Sequence, residues 1–197
     1  MPTCFSVIVR FFKNLIWRPI SNEYLKEVAV HEAGHAVVAH HLGYEVERII
    51  IPRRHQFRGS YCAQTISEKP TQGTMAFGFN YVLDEISILL AGEIAQDISK
   101  ENDSIQNIEG CHHDKRQARK MARDLVIRMR DLGYLQSFDS KETLNVEIDN
   151  IFKIASAKAK NILEEHEIGF KYLVHFIVSN EKEEIPKEII RNILCPK

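Results

Sequence analysis

The sequence has few of the residues that interrupt or cross-link a chain. Its 197 residues include nine glycines, six prolines and four cysteines. The low glycine and proline content argues against disorder, collagen-like repeats and a β-sandwich with many turns. The cysteines form no CxxC pair, which argues against a zinc ribbon and a disulfide framework. We therefore expect reduced thiols and a cytoplasmic location.

The sequence also lacks an excess of either charge and lacks a phosphate-binding loop. Lysine and arginine number 26 and aspartate and glutamate 27, so nothing in the net charge favours nucleic acid or an anionic membrane. The basic residues Arg48, Arg53, Arg54 and Arg58 have little aromatic interleaving, so we expect a solvated loop and no nucleic-acid partner. The pattern G-x-x-x-x-G-K-[ST] is missing from these 197 residues, which predicts no ATPase module in them.

A long uninterrupted hydrophobic run is missing as well. Residues 1–20 are rich in apolar side chains, but Arg10, Lys13 and Arg18 lie inside the apolar stretch. A transmembrane helix needs about 20 mostly apolar residues, and a secretory signal carries its basic residues ahead of the apolar run. Two interpretations stay open: a basic amphipathic helix that lies on a membrane or a partner, or a helix that packs on the domain. We therefore divide the sequence into an N-terminal basic amphipathic segment, residues 1–20, and one domain, residues 21–197.

Helical periodicity dominates the remainder of the chain. Apolar spacing predicts helices over residues 22–42, 81–98, 112–131, 146–166 and 170–178, and Pro186 can open a short last helix. Segments 46–51 and 59–66 predict two strands that form a hairpin, and residues 181–184 predict a solvated turn. The predicted fold class is mainly α (α+β), with a small hairpin next to the first helix.

The first predicted helix carries the run His31-Glu32-Ala33-Gly34-His35 in its middle. Residues four apart lie on one helical face, so His31 and His35 can converge on a single zinc ion. A glutamate after the first histidine can accept a proton from a water that attacks a carbonyl, which predicts Glu32 as general base. Gly34 lowers helix propensity by about 1 kcal/mol, which suggests that another element must approach closely there.

Catalytic zinc sites usually have three protein ligands and one open position. Residue chemistry alone offers two candidates for the third ligand. Glu93 could bind the metal while Asp97, one helical turn later, orients a ligand imidazole. Asp114, at the start of a long helix, is the other candidate, and His113 beside it could compete. Composition and spacing do not decide between these alternatives.

Several segments in order resemble the FtsH-type ATP-dependent zinc proteases. The run His-Glu-Ala-Gly-His-Ala-Val-Val-Ala at residues 31–39 looks like the family signature, and residues 49–61 are similar to its strand–loop–strand. Residues 91–97 resemble its Gly-Gly-Arg helix, residues 110–118 the segment that carries its third ligand, and residues 157–166 a later helix. The likeness covers about residues 25–193.

The resemblance implies a zinc metalloendopeptidase with a polypeptide substrate. It implies that His31, His35 and Asp114 bind Zn²⁺, that Glu32 is catalytic, and that Asp97 supports a ligand imidazole. It also implies that an extended substrate adds to the strand at Gly59, Ser60 and Tyr61.

The departures from the family pattern limit what carries over. Glu93 stands where the family has arginine, and no ATPase motif accompanies the peptidase segment. A homo-oligomer and a separate ATPase partner are both compatible with this pattern. The alternative function is a non-catalytic module that binds peptides or docks on an ATPase or a membrane through residues 1–20.

Overall fold

The computed structural model describes residues 21–53, 64–68, 78–100, 111–135 and 141–195. Six helices and three short strands lie in these ranges, and the predicted mainly α fold is confirmed. Residues 1–20 and the predicted substrate strand at Gly59, Ser60 and Tyr61 lie outside the described residues. In the described ranges, no helix combines the length and the apolar character needed to span a bilayer. In chain order the elements are α1 (Asn22–His41), β1 (Glu45–Ile50), β2 (Gln64–Glu68), α2 (Phe79–Lys100), α3 (Cys111–Asp131), α4 (Lys141–Glu165), α5 (Glu167–Ser179), β3 (Glu184–Pro186) and α6 (Lys187–Leu194).

Helix α1 is the central element of the fold. The side chain of Ser21 accepts a hydrogen bond from the backbone N–H of Tyr24, which caps the start of the helix. After the helix ends, Gly43 adopts a φ of +83°, a backbone conformation that favours glycine. Every residue from 28 to 39 is buried. Because a helix buried on all sides lies inside the core, the predicted metal-binding run at residues 31–35 is enclosed by neighbouring elements.

The sheet has the antiparallel strand order β2-β1-β3. The predicted hairpin is confirmed for the described part of its second strand, where Ile49 of β1 pairs with Thr65. The turn predicted over residues 181–184 is wrong at its last residue, because Glu184 begins β3. The sequence signal was weak, since β3 has three residues and only Ile185 is buried in it.

Two hydrophobic clusters form the core. The first surrounds α1 and joins it to the sheet, α5, α6 and the last turns of α4. The second joins α3 to the first half of α2 and the first half of α4. Helix α2 contributes to both, with Ala91 and Ala95 in the first cluster and Leu83, Ile86 and Leu90 in the second. The predicted metal-binding run at residues 31–35 and the start of α3 therefore meet where the two clusters adjoin.

Candidate metal centre

Three predicted ligands from two helices converge at this junction. The Nε2 atoms of His31 and His35 lie 3.0 Å apart. Asp114 Oδ2 lies 3.1 Å from Nε2 of His31 and 3.3 Å from Nε2 of His35. Among the described residues, these three form the one group of histidine, cysteine and acidic side chains whose ligand atoms are close enough to share a metal ion.

The orientation of His35 is set from the opposite side of its ring. Its Nδ1 lies 2.7 Å from the backbone carbonyl oxygen of Ile88 in α2. A carbonyl only accepts, so Nδ1 must be the protonated nitrogen and Nε2 carries the lone pair in the neutral ring. That lone pair points toward the carboxylate of Asp114. A cation between the two groups would remove this repulsion.

The pKa values at the site reflect the same arrangement. Burial lowers the pKa of His35. This effect is outweighed by the hydrogen bond to Asp114, by the charges of Glu32 and Asp114, and by the hydrogen bond to the Ile88 carbonyl. The pKa of His35 is therefore raised. Burial raises the pKa of Asp114, yet its hydrogen bonds to both imidazoles dominate and hold that pKa far below its ordinary range. Without a metal, the site therefore favours a proton between carboxylate and imidazole.

The distances suit a tetrahedral metal ion. Ligand atoms about 2.0–2.1 Å from zinc at tetrahedral angles lie about 3.3–3.4 Å from one another. The three observed separations are 3.0, 3.1 and 3.3 Å. Two imidazole nitrogens and one carboxylate oxygen are also a donor set that zinc accepts. The residues present therefore fit Zn²⁺.

Two glycines allow α1 and α2 to approach closely enough to build the site. A Cβ on Gly34 would lie 2.6 Å from the Ala91 carbonyl oxygen, so the predicted close approach at Gly34 is confirmed. A Cβ on Gly92 would lie 2.4–2.7 Å from three atoms of the His31 imidazole. The backbone of α2 at Gly92 thus lies directly against the ring of His31.

Glu32 is buried, with 4% of its surface exposed. The hydroxyl of Thr65 in β2 lies 2.8 Å from Oε2 of Glu32 and 3.0 Å from the backbone carbonyl oxygen of the same residue. Sequence reasoning missed Thr65 and the Ile88 carbonyl. Thr65 looked like an ordinary strand residue, and a backbone carbonyl leaves no signal in the sequence.

The competing ligands lie elsewhere. Glu93 pairs with Lys115 at 3.0 Å, and His113 is exposed. The prediction that Asp97 supports a ligand imidazole disagrees with its placement, because its side chain is 66% exposed and pairs with Lys100 at 3.4 Å. The Ile88 carbonyl takes that role for His35. The physical reason is helical phase, since Asp97 lies on the outer face of α2.

Comparisons with known proteins agree with the geometry. The profile of Peptidase family M41 matches residues 18–143. ATP-dependent zinc metalloprotease FtsH 3 of Phytoplasma mali (strain AT) is 30% identical over 161 aligned positions, and the match covers 78% of this chain and 25% of that protein. ATP-dependent zinc metalloprotease FtsH 2 of Salinibacter ruber (strain M8) is 24% identical over 203 aligned positions including gaps, and the match covers 89% of this chain and 28% of that protein. The chain thus spans about a quarter of the length of these relatives.

Proposed function

The chain belongs to peptidase family M41, and we propose that it is a zinc-dependent endopeptidase that cleaves unfolded or flexible polypeptides. The observation that carries the proposal is the triangle of His31 Nε2, His35 Nε2 and Asp114 Oδ2, with the Glu32 carboxylate on the same helix. The names of the matched relatives, which describe zinc metalloproteases, support the same chemistry.

Each residue of the site has a distinct role in this proposal. His31, His35 and Asp114 would hold the zinc ion and leave a fourth position open. Zinc, when bound, supplies a Lewis acid that lowers the pKa of water and polarises the peptide carbonyl. The Glu32 carboxylate would accept a proton from the attacking water and later donate it to the leaving amine nitrogen. The Ile88 carbonyl would keep the His35 ring in the tautomer that binds metal.

The proposed activity of this chain does not include the ATP dependence that the names of the relatives state. Those proteins are named ATP-dependent, and this chain spans about a quarter of their length. No phosphate-binding loop occurs among the 197 residues. We propose that these residues cleave flexible peptides without ATP, and that folded substrates need a separate ATPase partner. A homo-oligomer and a cytoplasmic location, with association to a membrane through residues 1–20 as the alternative, remain part of the proposal.

The decisive experiment replaces Glu32 with glutamine. E32Q should bind one zinc ion per chain, because Glu32 is not a ligand, and should lose about 100-fold or more of its activity on a labelled unfolded protein. A matched control is E181Q, which makes the same chemical change at an exposed residue far along the chain. A chelator should abolish cleavage by the unmodified protein, and added zinc should restore it.

Three outcomes contradict the proposal. Full cleavage by E32Q would exclude Glu32 as the general base. Cleavage that a chelator leaves unchanged would exclude zinc from the reaction. Peptide binding without cleavage by the unmodified, zinc-loaded protein would instead support the non-catalytic module.

A further inference from the structure

The catalytic helix and the sheet are joined at the proposed general base. Thr65 is paired with Ile49 across the two strands, and cross-strand partners point to the same face of a sheet. Ile49 is fully buried in the cluster that surrounds α1. Thr65 therefore faces α1, where its hydroxyl contacts Glu32.

The contact fixes a side chain that would otherwise have several positions. Glutamate has three side-chain torsions, and burial of its charged end is costly unless a donor is present. In the part of the chain that the structure describes, Thr65 is the residue that donates to this carboxylate. The distance of 2.8 Å is that of a sound hydroxyl–carboxylate hydrogen bond.

The Thr65 hydroxyl also lies 3.0 Å from the carbonyl oxygen of Glu32. A hydroxyl carries one proton, so it is either shared between the two acceptors or donated to one at a time. Both acceptors belong to the same residue. The two short distances therefore place the hydroxyl next to both the backbone carbonyl and the side-chain carboxylate of Glu32.

We propose that Thr65 is a positioning residue for the Glu32 carboxylate. The proposal rests on the proposed function, since it concerns the general base of that reaction. Within the described residues, Thr65 contacts neither ligand imidazole by hydrogen bonding, and it acts through Glu32. Its loss should change the position of the base and leave zinc binding intact.

The test compares T65V, which has nearly the same shape without the hydroxyl, with T65S, which keeps it. A misplacement of about 1 Å in a catalytic group can cost about 100-fold in rate, so T65V should lower kcat about 10- to 100-fold. KM for a flexible peptide and the zinc dissociation constant should stay within about twofold. T65S should keep kcat within about threefold, because the donor remains. T143V, the same substitution on an exposed position of α4, is the matched control.

A double variant separates positioning from a general structural effect. In an E32Q background, T65V should cause no further loss of the residual rate, because there is no general base left to position. A further loss of 10-fold or more in that background would overturn the proposal. So would a T65V variant with unchanged kcat. If T65V fails to fold, T65A removes the same hydroxyl and is judged by the same criteria.

A crystallographic comparison decides the proposal without any turnover. In the metal-free protein, the Glu32 carboxylate should remain next to residue 65 in T65S and should move to another rotamer in T65V. An unmoved carboxylate in T65V would overturn the positioning role. If E32Q abolishes cleavage while T65V leaves kcat unchanged, only this inference fails. If the unmodified protein never cleaves, the proposed function fails, and the rotamer comparison still decides the role of Thr65.

Discussion

Substitution of Gly92 by alanine tests how the packing of α2 on α1 controls the metal site. The added Cβ would lie 2.4 Å from Cε1, 2.5 Å from Nδ1 and 2.7 Å from Nε2 of His31. Carbon atoms in contact prefer separations of about 3.5–4.0 Å. The His31 ring or the helix must therefore move by about 1 Å. Because Nε2 of this ring is a proposed ligand atom, the movement would disturb the metal site.

The magnitude follows from two opposing effects. Overpacking a dense interior typically costs about 1–3 kcal/mol, whereas replacing a mid-helix glycine with alanine gains about 1 kcal/mol in helix propensity. We expect G92A to lower the free energy of unfolding of the metal-free protein by about 1 kcal/mol net. A displaced ligand should weaken zinc binding by about 10- to 100-fold, the usual loss when the groups that orient a ligand are changed.

The assay is a zinc competition titration with a chromophoric chelator, together with denaturant unfolding of the metal-free protein. Removing the imidazole should reverse the sign of the stability effect. In an H31A background the clash is gone and the propensity gain remains, so G92A should stabilise the protein by up to about 1 kcal/mol. The control is G34A, whose Cβ would meet the backbone of Ala91 and should destabilise the protein in either background. An equal cost of G92A with and without His31, or unchanged zinc affinity in G92A, would refute the reasoning.

Two further predictions concern residues outside the site. Burial lowers the pKa of His41 from its ordinary 6.5 to about 4, and two neighbouring imidazoles add to this effect. Because the unfolded chain binds this proton more readily, stability is full above about pH 6.5 and is lost as the pH falls toward 4. The His41 ring is partly exposed, so after solvent screening the free energy of unfolding should fall by about 1 kcal/mol between pH 7 and pH 4.5. Urea unfolding at the two pH values measures this difference, and H41Q should lack it. The titratable groups that face His41 are His166, His40 and Glu165. The second prediction concerns Asp97, whose partner is Lys100. D97N should leave the zinc affinity within about twofold and change the free energy of unfolding by less than about 1 kcal/mol. A large loss of zinc affinity would instead support the predicted role of Asp97 in orienting a ligand imidazole.

The parts of the site that could be predicted are those fixed by local geometry. The spacing of His31 and His35 determines that their imidazoles share one helical face, whatever surrounds the helix. Ser21 likewise marks the start of α1 because its hydroxyl can cap the helix, and Gly43 follows the end of α1 because a residue without Cβ adopts a positive φ at little cost. The choice of Asp114 as proposed third ligand needed a family resemblance, because the approach of Asp114 to α1 depends on packing between helices that are far apart in sequence.

The parts that could not be predicted depend on helical phase and on backbone atoms. Glu93 and Asp97 are spaced as a ligand and a carboxylate that supports a ligand imidazole would be, but α2 packs against His31 through Gly92, and both side chains pair with lysines instead. The resulting support for His35 comes from the Ile88 carbonyl, which any residue could supply. Strand β3 was missed for a similar reason, since three residues give too short a pattern to read.

The location of the proposed metal between two hydrophobic clusters connects the chemistry to the stability of the fold. His31 and His35 belong to the helix at the centre of the first cluster, and Asp114 lies in the first turn of the helix that packs in the second. The three ligand atoms repel one another unless a proton or a cation lies between them, because one acidic oxygen faces two imidazole nitrogens. Zinc would satisfy all three at once and so draw the start of α3 onto α1. Since metal that binds only the folded chain adds its binding free energy to folding, the same contacts that form the site would also join the two halves of the core.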